Sequence, residues 1–198
     1  MQPLWYAGPA VYAFIFWTIF GLWMASETVT SGTKRVPGNA EARDRGSHLL
    51  IIILFLLGIS LAFALSFVLP HAAIPWHRKS IFSIGIGLMI VGIVFRRYAI
   101  SMLGQFFTVD VAIHAKHTVV DTGPYRYIRH PSYSGSLITQ LGLGLALGNW
   151  ASLLVILVCT GIAYTYRISV EEAALVAALG EPYREYMRRT TRLIPFVF

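Results

Sequence analysis

Five apolar runs alternate with polar segments along the chain. The first covers about Ala7 to Ala25 and is rich in aromatics. The second runs from about His48 to Leu69, the third from about Ser80 to Ala99, and a short fourth from about Ser132 to Leu147. Gly148-Asn149 makes a tight turn into the fifth, about Trp150 to Tyr166. A helical membrane span needs about 20 largely apolar residues, so the pattern predicts an all-α integral membrane protein with about five transmembrane helices. The polar connections are Gly32 to Ser47, Pro70 to Lys79 and the long stretch from Met102 to Arg129. Beyond Tyr166 the pattern becomes amphipathic. Leu175, Leu179, Tyr183, Tyr186 and Met187 recur at helical spacing with Arg184, Arg188 and Arg189 between them, and Gly180-Glu181-Pro182 divides this tail into two helices. Such a tail lies on the membrane surface or caps a site.

Composition agrees with the periodicity. Of 198 residues, 56% are hydrophobic and 13% charged, about half the charged share of a soluble domain. No separate soluble domain fits, so residues 1–198 read as one membrane-embedded domain. Residues 1–100 hold spans one to three, and residues 101–198 hold spans four and five and the tail. The net charge of +7 does not imply nucleic acid, because the basic residues flank apolar spans and form no face of their own. Cys159 is the single cysteine, which excludes an intrachain disulfide and a cysteine-based zinc site. The first apolar run lacks a basic leader and Ala25 is followed by Ser-Glu, so it reads as a span and not as a signal peptide. With five spans, one side of the membrane carries only Arg78 and Lys79, and the other carries the remaining 14 of the 16 Lys and Arg residues. Cytoplasmic loops hold the positive excess, so the polar clusters are expected to face the cytoplasm.

Two of those clusters carry chemistry. In the first, Arg129-His130-Pro131-Ser132-Tyr133 closes the long polar connection. Pro131 suits the first turn of a helix, where its missing N–H costs nothing, so span four is predicted to start here. Its N-terminus would point free amides at whatever binds. The second cluster, Tyr166 to Glu172, closes span five. Arg167 and Glu171 are four residues apart and share a helix face, whereas Glu172 is rotated by about 100°. Ionisable residues at a membrane edge are functional candidates. The plain alternatives are a capped helix start, tyrosines anchored at the headgroups, and an interfacial ion pair. Arg126 fits anionic lipid. His114 and His117 stand three apart with no third ligand at matching spacing, so no metal site is expected. Gly85, Gly87 and Gly92 have the wrong spacing for a dinucleotide fingerprint, and Gly142, Gly144 and Gly148 suit close helix packing.

The order Gly-x-Tyr, Arg-His-Pro-Ser-Tyr-x-Gly, Tyr-Arg-x-x-x-Glu-Glu, Gly-x-x-Tyr-x-x-Tyr and Ile-Pro, over roughly Leu103 to Pro195, resembles the isoprenylcysteine carboxyl methyltransferase family. This is a group of integral-membrane methyltransferases that includes phospholipid methyltransferases. The resemblance implies S-adenosylmethionine as cofactor, with contacts at His117, Thr118, Val119, Val120, Tyr125, His130, Pro131, Ser132, Tyr133 and Glu171. It implies acceptor contact at Arg167. These implications agree with the residue types: a carboxylate such as Glu171 can accept from ribose hydroxyls, and tyrosine faces attract a sulfonium by cation–π interaction. Ser136 departs from the aromatic found after the glycine in many members, and a glutamine of the family's cofactor site has no clear counterpart.

The expected reaction is in-line methyl transfer from a cytoplasmic sulfonium to a lipophilic or lipidated acceptor arriving from the membrane lipids. A carboxylate acceptor needs orientation and no base, and Arg167 can hold it with two prongs. A lipid amine or a thiol must lose a proton, which Glu172 could take. Arg167 and Glu172 are therefore the candidate catalytic residues, and the arginine at the apolar edge favours the carboxylate of a prenylcysteine-like substrate. A phospholipid-amine or thiol methyltransferase of the same fold stays open. So does an NADPH-dependent sterol-type reductase, which would use Arg126 and Arg129 for a phosphate, and a non-catalytic scaffold.

Overall fold

The computed structural model describes residues 2–33, 41–42, 46–104, 107, 112–113 and 118–194. Among them are seven α-helices: α1 (Leu4–Ala7), α2 (Ala10–Thr33), α3 (Ser47–Val68), α4 (Arg78–Leu103), α5 (Pro131–Leu147), α6 (Trp150–Leu179) and α7 (Glu181–Arg189). The described residues also include short 3₁₀ turns at Pro70–Ala72 and Gly123–Arg126 and a two-residue antiparallel pairing of β1 (Glu41–Ala42) with β2 (Ala112–Ile113).

Four helices, α2, α3, α4 and α6, are long and apolar enough to cross a membrane. They leave large apolar side chains on the outside, such as Phe14 at 72% and Val94 at 62% exposed. Such an exterior suits lipid, which is as apolar as the side chains themselves. The chain is therefore a multi-pass membrane protein. Helix α5 has 17 residues and is largely buried between α4 and α6. It runs from Pro131, at the end of the bundle where α4 finishes, to Leu147, at the end where α6 begins, so it carries the chain between them in the place of the short fourth apolar run.

Glycine makes that packing possible. A Cβ on Gly85 would lie 2.6 Å from the Ala146 amide nitrogen, and one on Gly135 would lie 2.7 Å from the Arg96 amide nitrogen. The α4 and α5 backbones thus touch at both ends of their seam. Gly144 makes the corresponding approach to Leu153 on α6, whereas Gly148, expected to pack with it, has nothing within 4 Å and serves as the left-handed C-cap of α5.

At one end of the bundle, Asn149 caps α6 by accepting from Ala151 N at 2.9 Å and Ser152 N at 3.1 Å, and its amide donates to Leu69 O at 2.9 Å. Ser152 Oγ donates to Ala62 O at 2.6 Å, so the α5–α6 turn is tied to α3. From this end, Trp5–Phe67, Phe16–Phe63 and Trp23–Phe55 ring contacts join the N-terminal aromatics to α3, with centroids 5.4–6.0 Å apart.

Two helix limits differ from the hydropathy reading. Helix α2 continues past Ala25 to Thr33, because its polar end has partners: Glu27 pairs with Arg96, and Thr30 accepts from Arg97 at 2.9 Å. Helix α6 continues past Tyr166 to Leu179 as one 30-residue helix, because no breaker occurs before Gly180. Gly180 then adopts φ 63°, ψ −133°, a conformation open essentially to glycine alone, and α7 departs from there.

Candidate functional site

The ends of α2, α3, α4, α5 and α6 that lie opposite Asn149 surround a cavity of about 530 Å³. Pro131 stands at the first position of α5 with His130 as its N-cap, as predicted from the proline. This start aims His130, Ser132 and Tyr133 at the cavity, while Pro131 itself is buried in the packing and does not line it. Thr118, Val119, Val120 and Tyr125 form another wall, and Arg167 and Glu171 reach in from α6. His117 and His114 lie outside the described residues. Segments far apart in sequence thus meet on one surface.

Within that surface the Tyr133 hydroxyl is a junction. It donates to Glu171 Oε2 at 3.1 Å and accepts from Arg167 Nε at 3.1 Å. Arg167 Nη1 donates to Ser47 Oγ at 2.7 Å, at the first residue of α3. Arg167 is only 2% exposed, so its charge sits where solvent screening is weak. The rings of His130, Tyr133 and Tyr164 follow one another with centroids 5.8 and 4.8 Å apart, an aromatic series along the cavity.

Glu172 has a different position from the one expected. It does not line the cavity. Its Oε1 accepts from Arg129 Nε at 2.8 Å and lies 3.4 Å from His130 Nε2, and its Oε2 accepts from Arg192 Nε at 3.1 Å. A carboxylate engaged by two arginines and a histidine is poorly suited to take a proton from an acceptor. The rotation between adjacent helical residues is the cause: with Glu171 turned into the cavity, Glu172 faces the C-terminal segment. There it helps hold a backbone pairing in which Arg129 N donates to Thr191 O at 2.8 Å, Thr191 N to Tyr127 O at 3.1 Å and His130 N to Arg192 O at 3.1 Å. Arg129 Nη1 also donates to the Met187 and Thr190 carbonyls at the end of α7.

Of the two roles predicted for the tail, α7 takes that of a cap. Its Tyr183 and Tyr186 are buried and line the cavity, and Tyr186 donates to Tyr125 O at 2.7 Å. Burial, reinforced by the Glu171 charge, holds the Tyr125 and Tyr183 phenols well above their ordinary pKa. Both are neutral hydroxyls at physiological pH. Tyr125 is a buried wall that donates to Ala99 O at 3.2 Å, not a headgroup anchor. Tyr127, by contrast, is 56% exposed beside Arg126.

Several lining residues escaped the sequence reading. Glu27 and Thr30 on α2, Arg96 on α4 and His48 on α3 bring polar groups from helices that read as apolar. The charges were visible, but their partnership across 69 positions was not. On α3, Ile51, Ile52, Phe55 and Leu56 give the cavity an apolar wall.

The fold and the cavity together define a multi-pass helical membrane protein whose site joins a charged, aromatic wall to an apolar one. Residues 85–177 match the model of the isoprenylcysteine carboxyl methyltransferase family. Two relatives are the protein-S-isoprenylcysteine O-methyltransferase of Schizosaccharomyces pombe, 35% identical over 57% of this chain and 48% of its own length, and protein-S-isoprenylcysteine O-methyltransferase B of Arabidopsis thaliana, 36% identical over 57% of this chain and 58% of its own. The matched region therefore spans about half the length of these curated relatives. The solved structure of the eukaryotic intramembrane Ras methyltransferase ICMT superposes with a TM-score of 0.60 at 20% identity, covering 98% of this chain and 70% of that one. At that identity the likeness is one of fold.

Proposed function

We propose that this chain is an S-adenosylmethionine-dependent methyltransferase acting at the cytoplasmic face of the membrane on a lipophilic acceptor, the carboxylate of a prenylcysteine-like substrate. The observation that carries the reading is the meeting, in one cavity, of Thr118, Val119, Val120, Tyr125, His130, Ser132, Tyr133 and Glu171 with Arg167 and the apolar side chains of α3. When bound, S-adenosylmethionine supplies an electrophilic methyl group on a sulfonium. In this reading Glu171 accepts from the ribose hydroxyls, Tyr125 and Tyr133 offer aromatic faces to the positive charge, and the backbone at Thr118–Val120 borders the adenine. His130 and Ser132 complete that wall from the first turn of α5, with Pro131 presetting its backbone.

Arg167 stands where the charged wall meets α3 through Ser47, the place where an acceptor's carboxylate would lie if its tail followed Ile51, Ile52 and Leu56. A carboxylate is already ionised at neutral pH. The protein's contribution is then to orient it, and orientation with proximity can supply up to roughly 7–11 kcal/mol of a barrier. Glu172, engaged with Arg129, His130 and Arg192, serves this site by position and takes no proton. The basic residues concentrated at the cavity end of the helices support the cytoplasmic orientation of this reading, since cytoplasmic loops carry the positive excess.

The test is calorimetric titration of the purified protein with S-adenosylmethionine, with NADPH in parallel, followed by transfer of labelled methyl to a prenylcysteine analogue, a lipid extract and a small thiol. Micromolar donor binding that Glu171→Ala weakens, with transfer to the prenylcysteine analogue, is the expected result. Transfer to lipid or thiol alone would overturn the acceptor, and binding of NADPH alone would overturn the class.

A further inference from the structure

Helix α2 lies outside the family-matched segment 85–177, yet it sends a carboxylate to the cavity wall. Glu27 meets the Arg96 guanidinium edge-on, with Oε1 accepting from Nε at 2.7 Å and Oε2 from Nη2 at 2.8 Å. Two-pronged pairs of this kind fix the plane of the guanidinium as well as its place. The third nitrogen, Nη1, donates to the Ser132 carbonyl at 3.1 Å. Ser132 belongs to the first turn of α5, between His130 and Tyr133. The approach is possible because Gly135 lets α5 rest on the backbone of Arg96. An ionisable pair inside membrane helices is costly unless it does something that an apolar pair could not. Holding α2 to α4 would not by itself require a guanidinium with a donor left for a neighbouring helix.

We infer that Arg96 is a positioning residue for the methyl-donor wall. Glu27 on α2 sets the plane of its guanidinium so that Nη1 holds the Ser132 carbonyl, and with it the His130–Tyr133 turn, in register with the cavity. Helix α2 is thereby part of the site and not only an anchor. The inference rests on the donor reading given above, and its test separates the two.

Donor affinity is measured by calorimetry with S-adenosylmethionine, and folding by thermal melting, for Glu27→Gln, for Arg96→Lys and for the exchange Glu27→Arg with Arg96→Glu. Glu27→Gln and Arg96→Lys are each expected to weaken donor binding about tenfold, the scale of a hydrogen bond to a charged group, and to lower the melting temperature, because each disturbs a pair whose side chains are only 14% and 22% exposed. The exchange keeps a tether between α2 and α4 but turns a carboxylate towards the Ser132 carbonyl. It is expected to recover melting without recovering affinity. Full recovery of affinity by the exchange would overturn the positioning role and leave a simple tether. Should the exchange fail to fold, Arg96→Lys decides alone: unchanged affinity overturns the inference. Silence of the unmodified chain towards S-adenosylmethionine would fall on the donor reading and take this inference with it.

Discussion

The hydroxyl of Tyr133 accepts a hydrogen bond from Arg167 Nε at 3.1 Å, and the same hydroxyl donates to Glu171 at 3.1 Å. One oxygen therefore links the residue assigned to the acceptor with the residue assigned to the donor. In a buried setting the loss of that oxygen leaves polar groups on both sides without it, at a cost of about 1–3 kcal/mol.

Tyr133→Phe keeps the ring and removes only the junction. Donor affinity and turnover are both expected to fall, each by about tenfold or more on that energy scale, with the aromatic contact to Tyr164 retained. Calorimetry and a radiolabelled methyl-transfer assay on the same preparation check it. A fall confined to one of the two would mean that the hydroxyl serves only one partner.

Arg167→Lys separates charge from geometry. Lysine keeps the positive charge but cannot present two parallel donors in one plane. The acceptor KM is expected to rise by about tenfold or more, the worth of a charge-assisted contact, while the donor Kd moves little. Steady-state kinetics with varied prenylcysteine analogue, alongside donor titration, gives the comparison. An equal effect on both constants would show that Arg167 holds the wall together and does not receive the acceptor.

How far the sequence reaches is clearest at the ends of the helices. Pro131 announced the start of α5, and Gly180 announced the break before α7, because each residue type limits the backbone directly. Hydropathy ended span one at Ala25 and span five at Tyr166, yet α2 and α6 run on to Thr33 and Leu179. A polar residue ends an apolar run but does not end a helix, and Glu27 is accommodated by Arg96, 69 positions away. Helical spacing showed that Glu171 and Glu172 face different ways. It could not show which of them faces the cavity, since that depends on where residues 190–193 pack. The grouping of Thr118, Val119, Val120 and Tyr125 with His130, Tyr133 and Arg167 was legible through motif resemblance. The contributions of α2 and α3 carried no motif and emerged only with the packing.

Glu172→Gln tests the support assigned to that residue. The Arg129–Glu172 pair is almost fully buried, with side chains 9% and 5% exposed, and breaking such a pair costs about 3–5 kcal/mol. Melting temperature should drop clearly, and amides of Thr191 and Arg129, which now pair across the segment, should exchange faster in hydrogen–deuterium exchange. The pH–rate profile of the remaining activity should keep its shape. Loss of a titrating limb in that profile would return Glu172 to a proton-accepting role.

Gly135→Ala tests the seam on which the whole site rests. The added methyl would lie 2.7 Å from the Arg96 amide nitrogen and 2.9 Å from its Cα. These are backbone atoms, so no side chain can turn aside, and α4 and α5 must separate. Overpacking of this kind costs about 1–3 kcal/mol. The separation would also lengthen the 3.1 Å contact from Arg96 to the Ser132 carbonyl. The expected outcome is a lower melting temperature together with weaker binding of S-adenosylmethionine. Gly161→Ala on α6 is the control, since nothing lies within 4 Å of a Cβ there. Alanine is also the better helix former by about 1 kcal/mol, so that variant should melt no lower than the unmodified chain and bind the donor equally well. If both variants behaved alike, the close approach of α4 and α5 would have no bearing on the site.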